Sequence, residues 1–187
     1  MPKQKLFLHL PTFAHQSAAE RFKQAFFENG ERVIYGSALF DQMEYIPWLE
    51  HNARGQHKDT VAEGWVVATT FFVIREQDRK IVGMIDIRHS LDHPFLMEYG
   101  GHIGYSVCPN ERGKGYGTAI LRMGMEFART IPLKELMLAC FSNNVPSIKT
   151  IEKNGGVLKE IKPYIEDGQV HIPGAPERMV HIYRITL

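Results

Sequence analysis

The apolar positions change rhythm along the chain, and each rhythm names an element. Lys5 to Leu10 reads as a short first strand. Ser17-Ala18-Ala19-Glu20 has the spacing of a capping box, Phe22, Ala25 and Phe26 follow at helical intervals, and Asn29-Gly30 is a stop. A helix over 17–29 is predicted. Tyr45 to His51 predicts a second short helix entered near Pro47, and the polar stretch 52–60 predicts a loop. From Trp65 to Ile74 the chain is continuously β-branched and aromatic. Gln77-Asp78 makes a turn, and Lys80 to Arg88 then alternates, with Ile81, Ile85 and Ile87 assigned to one face, so a β-hairpin is predicted.

A loop with Asp92 and Pro94 leads to a strand over Ile103–Val107, closed by Pro109. The helical period returns over Thr118–Thr130, where Ile120, Met123, Gly124, Phe127 and Ile131 share a stripe. Leu136 to Phe141 is a strand. Val145 to Asn154 is a helix capped by Asn144 and stopped by Gly155-Gly156. Val157 to Ile165, an Asp167-Gly168 turn, and Met179 to Leu187 complete the pattern. The order β-α-α-β-β-β-α-β-α-β-β predicts one layered α/β domain over 1–187, a mixed sheet with helices on its faces.

Composition narrows this picture. At 187 residues, 44% hydrophobic and 23% charged, the chain carries enough apolar material for one real core. A net charge of +1 lacks the basic excess of a general nucleic-acid binder. Cys108 and Cys140 lie in apolar stretches and read as buried free thiols rather than a disulfide. The N-terminal run up to Pro11 is too short and interrupted for a signal peptide, and no apolar run approaches the roughly 20 residues that span a bilayer. The expectation is a cytoplasmic protein with no membrane partner.

Chemistry concentrates between Gly101 and Gly117: a strand, Pro109, then Arg112-Gly113-Lys114-Gly115-Tyr116-Gly117, then a helix. Three glycines in five residues let the backbone adopt positive φ and approach a ligand closely. The following helix starts with unpaired N–H groups at the positive end of its dipole. Together these suit a phosphate. The plain alternative is a glycine-rich turn with two solvated cations. A P-loop requires Gly-x-x-x-x-Gly-Lys-Ser/Thr, which is absent. A Rossmann fingerprint belongs near the first strand of a parallel unit, whereas this loop follows a hairpin.

Strand, Arg-x-x-Gly-x-Gly, helix, strand and Asn-x-x-Ser on a second helix resemble the GNAT superfamily of acetyltransferases. Val107, Pro109, Arg112, Gly115, Gly117, Asn144, Ser147 and Gly155 carry the resemblance. Phe71–Arg75, Ile81–Arg88, Gly101–Tyr105 and Ile151–Gly156 extend it toward an uncharacterised bacterial subgroup. It covers 60–187 firmly and the N-terminal third loosely.

The resemblance implies acetyl-CoA as co-substrate and no metal. It implies that backbone N–H groups of Arg112, Gly113, Lys114, Gly115, Tyr116, Gly117 and Thr118 take the pyrophosphate. It places Tyr105, Val107 and Cys108 along the pantetheine, on a strand splayed from its neighbour, with Asn144 and Ser147 at the second helix. Asn144 reads equally as a pure N-cap. The acceptor would be a small-molecule or protein amine, and a homodimer is a candidate assembly.

Acylating an amine requires removal of a proton, since a primary amine is mostly protonated near neutrality. Glu98 and His102, at the start of the splayed strand, are the candidate bases, each with a plain reading as a solvated carboxylate or a packed histidine. Asp86 is the next candidate. His89 and His93 flank Asp92 but sit in a loop, which is poor ground for a metal site. Tyr45, Trp48, His51, Trp65 and Phe95 are candidate acceptor-pocket residues, or simply core. Many members of the superfamily carry a tyrosine seven residues after the helix-starting asparagine; that position here is Ile151, which has no proton to give. An active transferase, a non-catalytic acyl-CoA-binding module and a scaffold for another nucleotide all remain open on sequence.

Overall fold

The structure is a computed structural model that describes residues 4–165 and 178–187. Its strands are β1 (Leu6–His9), β2 (Ala68–Arg75), β3 (Ile81–Arg88), β4 (Ile103–Val107), β5 (Glu135–Phe141), β6 (Val157–Pro163) and β7 (Met179–Thr186). Its helices are α1 (Gln16–Glu28), α2 (Tyr45–Gly55), α3 (Tyr116–Ala128) and α4 (Val145–Lys153). The order agrees with the sequence pattern. The expected Asp167-Gly168 turn lies outside the described residues.

Strands β1-β2-β3-β4 form one antiparallel sheet and β5-β7-β6 a second. No ladder joins β4 to β5. The sheets share one core, and among the described residues they are joined by hydrogen bonds at one point, where the His102 N–H donates to the Met137 carbonyl (2.8 Å) and the Met137 N–H donates to His102 Nδ1 (2.9 Å). Beyond that seam β4 keeps one edge free.

β3 is buried along nearly its whole length because both of its faces are covered. Helix α3 lies on one face: an added Cβ at Gly124 would stand 2.3 Å from Ile85 Cδ1, so the glycine sets how closely helix and sheet approach. Helices α1 and α2 cover the other, where Trp48, Phe40, Phe26, Phe72 and Met84 form a second core. Ile81 belongs to that second core, while Ile85 and Ile87 belong to the first. The expectation of one shared face fails because the β2–β3 register skips Val82, and such a bulge reverses the alternation.

Two local expectations also change. The Ser17–Glu20 box does not start α1. The cap lies upstream, where Thr12 and the His15 imidazole bond each other across a 3-10 turn (3.0 and 2.9 Å). Helix α2 continues to Gly55, through residues 52–55 that polarity assigned to a loop. Both cysteines are free and buried, as expected.

Candidate active site: an anion cradle beside an open strand edge

The chain leaves β4 through a 3-10 turn at Pro109–Glu111 and enters α3 at Gly115, its N-cap. Gly113 and Gly115 have φ of 77° and 80°, and nothing lies within 4 Å of a Cβ built on either. The glycines are therefore required by conformation rather than by crowding. No side chain caps α3. Among the described residues, no protein acceptor takes the N–H groups of residues 113–118. Six successive donors at the start of a helix form an anion cradle.

The cations of this loop are committed elsewhere. Lys114 Nζ bonds Glu111 Oε2 (2.8 Å), and Arg112 forks onto Glu31. Glu111 is buried beneath the loop, where Arg75, Lys80 and Lys114 all reach it (2.7, 2.7 and 2.8 Å). Burial alone would raise its pKa, but the bonds from Lys114, Lys80 and Arg75 prevail and hold it at about 2. Tyr116 is also buried, with its hydroxyl between Arg75 and Gln4. In this loop the backbone N–H groups are left free while the side chains hold the loop in shape.

The β3–β4 register fixes which groups of β4 are free. Arg88 N–H donates to His102 O and Cys108 N–H to Val82 O, so the even-numbered residues face β3. The N–H and C=O groups of Ile103, Tyr105 and Val107 then point to the open edge, where the Val107 carbonyl already accepts from Arg112 Nε (3.2 Å). The Tyr105 side chain crosses the opening to α4, where its hydroxyl meets Ser147 Oγ at 3.0 Å. Ser147 N–H donates to Asn144 Oδ1 (3.2 Å), so Asn144 does cap α4. Cys108 points the other way, into the α1/α2 core, and burial pushes its thiol pKa up. Ile151 is buried in the α3-side core.

On the α1/α2 side of the sheet lies a cleft of about 870 Å³. Its floor carries Thr70, Asp86 and Arg88, one wall is the segment after α1, and His51, Trp65 and Phe95 stand among the other lining residues. Asp86 Oδ1 accepts from the Thr70 hydroxyl (2.9 Å), and Oδ2 pairs with Arg88 Nε (2.9 Å).

A family model for the acetyltransferase (GNAT) domain matches residues 9–157. The chain belongs to the GNAT acetyltransferases. Solved structures agree on the fold. The microcin C7 self-immunity acetyltransferase MccE, in complex with acetyl-CoA and AMP, is 18% identical with a TM-score of 0.68 and covers 99% of this chain and 93% of its own. RimJ from Mycobacterium smegmatis, in complex with CoA-disulfide, is 20% identical with a TM-score of 0.66, covering 99% and 83%. An N-acetyltransferase from Staphylococcus aureus Mu50 is 16% identical with a TM-score of 0.64, covering 97% and 98%. No match was found among proteins with curated descriptions.

Within this GNAT chain the residues singled out as bases separate. Glu98 lies in a π-helical turn (Leu96–Gly100), exposed and paired with Lys162 (3.1 Å), and is not among the residues lining the cleft. His102 is buried at the seam with Nδ1 taken by Met137; burial, then the charges of Arg184 and Arg88, lower its pKa to about 4. Asp86 does line the cleft. Tyr45 and Trp48 are core residues, the tyrosine hydroxyl bonded to Thr12 O (2.6 Å), so only His51, Trp65 and Phe95 of the aromatic set reach the cleft.

His89 bonds the Thr69 hydroxyl and His93 takes the Phe95 N–H, so the two engage different partners. Among the described residues no group of three or more potential ligands could hold a metal ion. Likewise, none of the described helices is long and apolar enough to cross a membrane. Sequence reasoning missed Glu31, Arg88 and the cleft wall at 33–42. Glu31 and the wall reach the site through long-range contacts, which no local pattern encodes, whereas Arg88 meets Asp86 two residues away on the same strand.

Proposed function

We propose that the protein transfers an acetyl group from acetyl-CoA to a primary amine by direct attack within a ternary complex. The observation that carries this reading is the cradle of six unsatisfied N–H groups beside the free edge of β4, in a chain of the GNAT family. The acetyl-CoA held by MccE and the CoA-disulfide held by RimJ support the same co-substrate. The cradle of residues 113–118 would hold the pyrophosphate. The edge groups of Tyr105 and the Val107 N–H would pair with the pantetheine, and Asn144 and Ser147 would border it from α4.

The amine nitrogen attacks the thioester carbonyl carbon, a C–N bond forms, the C–S bond breaks, and the nitrogen gives up a proton. We assign the receiving role to Asp86 rather than to Glu98 or His102. Asp86 alone of the three lines the cleft, and Thr70 and Arg88 fix its orientation. The thiolate leaves with a pKa near 8.5, so water or the Tyr105–Ser147 hydroxyl pair suffices to protonate it. An amine panel assayed for free thiol from acetyl-CoA tests the reading: at least one amine should release CoA in an enzyme-dependent manner.

A second reading, an acyl-CoA-binding module without turnover, is favoured by one observation: the position that carries a tyrosine in many GNAT enzymes is occupied by the buried Ile151. It predicts binding of acetyl-CoA with no amine-dependent release.

A further inference from the structure

Arg112 opens the glycine loop, yet each of its three guanidinium nitrogens already has a protein partner. Nη1 and Nη2 each lie 2.8 Å from one oxygen of Glu31, Nε donates to the Val107 carbonyl (3.2 Å), and the guanidinium stacks 5.5 Å from the Phe26 ring. A two-pronged pair of this kind fixes orientation as well as distance. Glu31 lies just beyond the end of α1, and the chain that follows it, residues 33–42, forms a wall of the cleft.

That wall is a held, strained structure. Gly36 (φ 72°) rests on the backbone of β4, where an added Cβ would stand 2.2 Å from the Gly104 carbonyl oxygen. Ser37–Phe40 then forms a tight turn, closed by Phe40 N–H to Ser37 O (3.2 Å). Its two central residues, Ala38 and Leu39, have φ of 48° and 70° without being glycine. Left-handed backbone at ordinary residues persists only when surrounding contacts impose it. Trp48 Nε1 supplies one such contact, donating to Ser37 O (2.8 Å) and Ala38 O (3.0 Å). The Arg112–Glu31 fork ties the root of this segment, five residues before Gly36, to the glycine loop.

We propose that Arg112 and Glu31 are a positioning pair that carries occupancy of the cofactor loop to the acceptor wall, so that acetyl-CoA prepares the cleft for the amine. This rests on the reading of the loop as the acetyl-CoA site. The loop backbone around Gly113 and Gly115 has open space about it, so a ligand on its N–H groups restricts it. Restricting the loop restricts the root of Arg112, and the fork passes that restraint to Glu31 and the wall. A ligand shifts a distant segment only through a contact that differs between bound and free states, and the fork is that contact. Glu31 touches neither substrate in this scheme.

Hydrogen–deuterium exchange on the full chain, with and without acetyl-CoA, tests the pair, alongside a Kd for acetyl-CoA by titration. In the native protein acetyl-CoA should slow exchange at 112–118 and also, by about fivefold or more, at 33–41, the lower end of ordinary coupling between sites. In Glu31→Gln the protection at 112–118 should persist, with Kd changed less than about threefold, while the protection at 33–41 disappears. Arg112→Lys keeps the charge but loses the fork, and should also lose protection at the wall. Equal protection at 33–41 in native protein and Glu31→Gln would overturn the proposal. So would a native wall that acetyl-CoA leaves unchanged while 112–118 is protected. Absence of protection everywhere would instead refute the loop as the acetyl-CoA site, and the pair's role with it.

Discussion

His102 and Met137 hydrogen-bond the two sheets together at their seam: the His102 N–H donates to the Met137 carbonyl, and the imidazole Nδ1 takes the Met137 N–H in return. The side chain stands in for a strand's carbonyl at the point where β4 and β5 part. This requires the neutral ring, with Nδ1 free to accept.

The seam predicts an acid-sensitive fold. The His102 pKa is about 4 when folded, against an ordinary 6.5. Above pH 6.5 the ring is neutral in both states and contributes no pH dependence. As pH falls from 6.5 to 4 the unfolded chain takes up the proton and the folded one does not, so stability drops, by on the order of 3 kcal/mol. Glu111 adds a second loss from about pH 4.5 down to about 2, as its carboxylate is protonated and its bonds to Lys114, Lys80 and Arg75 are lost. Urea denaturation between pH 7 and 4 should show the first decline, and His102→Gln should flatten it. A native profile already flat over that range would contradict the seam.

Gly115 separates two explanations of the glycine loop. It has φ of 80° with empty space where a Cβ would go. Asparagine tolerates that conformation and valine does not. Gly115→Asn should therefore keep acetyl-CoA binding within about tenfold, while Gly115→Val should abolish it. Equal losses measured by calorimetric titration would mean that side-chain bulk, not backbone conformation, decides the site.

Much of this site is visible in the sequence because it is built from backbone. Glycine spacing, a helix start and Asn144 three residues before Ser147 are local signals, and the helices that carry them, α3 and α4, pack against each other. The cleft side is less local. Asp86 takes one partner from two residues on, Arg88, but the other, Thr70, lies sixteen residues earlier on the neighbouring strand. Glu31 meets Arg112 across 81 residues. Ile81 left its expected face because a bulge at Val82 has no signature in alternation alone.

Asp86→Asn should lower turnover by about 10²–10⁴-fold with little change in acetyl-CoA affinity, the usual weight of a general base. Asparagine keeps an oxygen acceptor, and Arg88 retains the Gly100 and Gly101 carbonyls (3.3 and 3.4 Å), so a stability loss of about 1–3 kcal/mol is expected. Steady-state rates on a folded sample check the assignment. Native turnover in Asp86→Asn, with loss in Glu98→Gln, would move the base to the exposed turn.

Tyr105→Phe and Ser147→Ala should each cost less than about tenfold in turnover, under 1.4 kcal/mol of barrier, because the thiolate departs without help. Ile151→Tyr should raise turnover by less than that, and its buried position adds an overpacking cost of about 1–3 kcal/mol in stability. A hundredfold fall in Tyr105→Phe, followed by single-turnover kinetics, would show that the hydroxyl pair is a required acid.

Thermal unfolding with acetyl-CoA and with ATP tests the central claim most directly. At a hundredfold excess over Kd, a ligand bound only by the folded chain adds about 2.7 kcal/mol. For a domain of this size that raises Tm by roughly 5–10 °C. The account predicts such a rise with acetyl-CoA and none with ATP. A rise with ATP alone would contradict it.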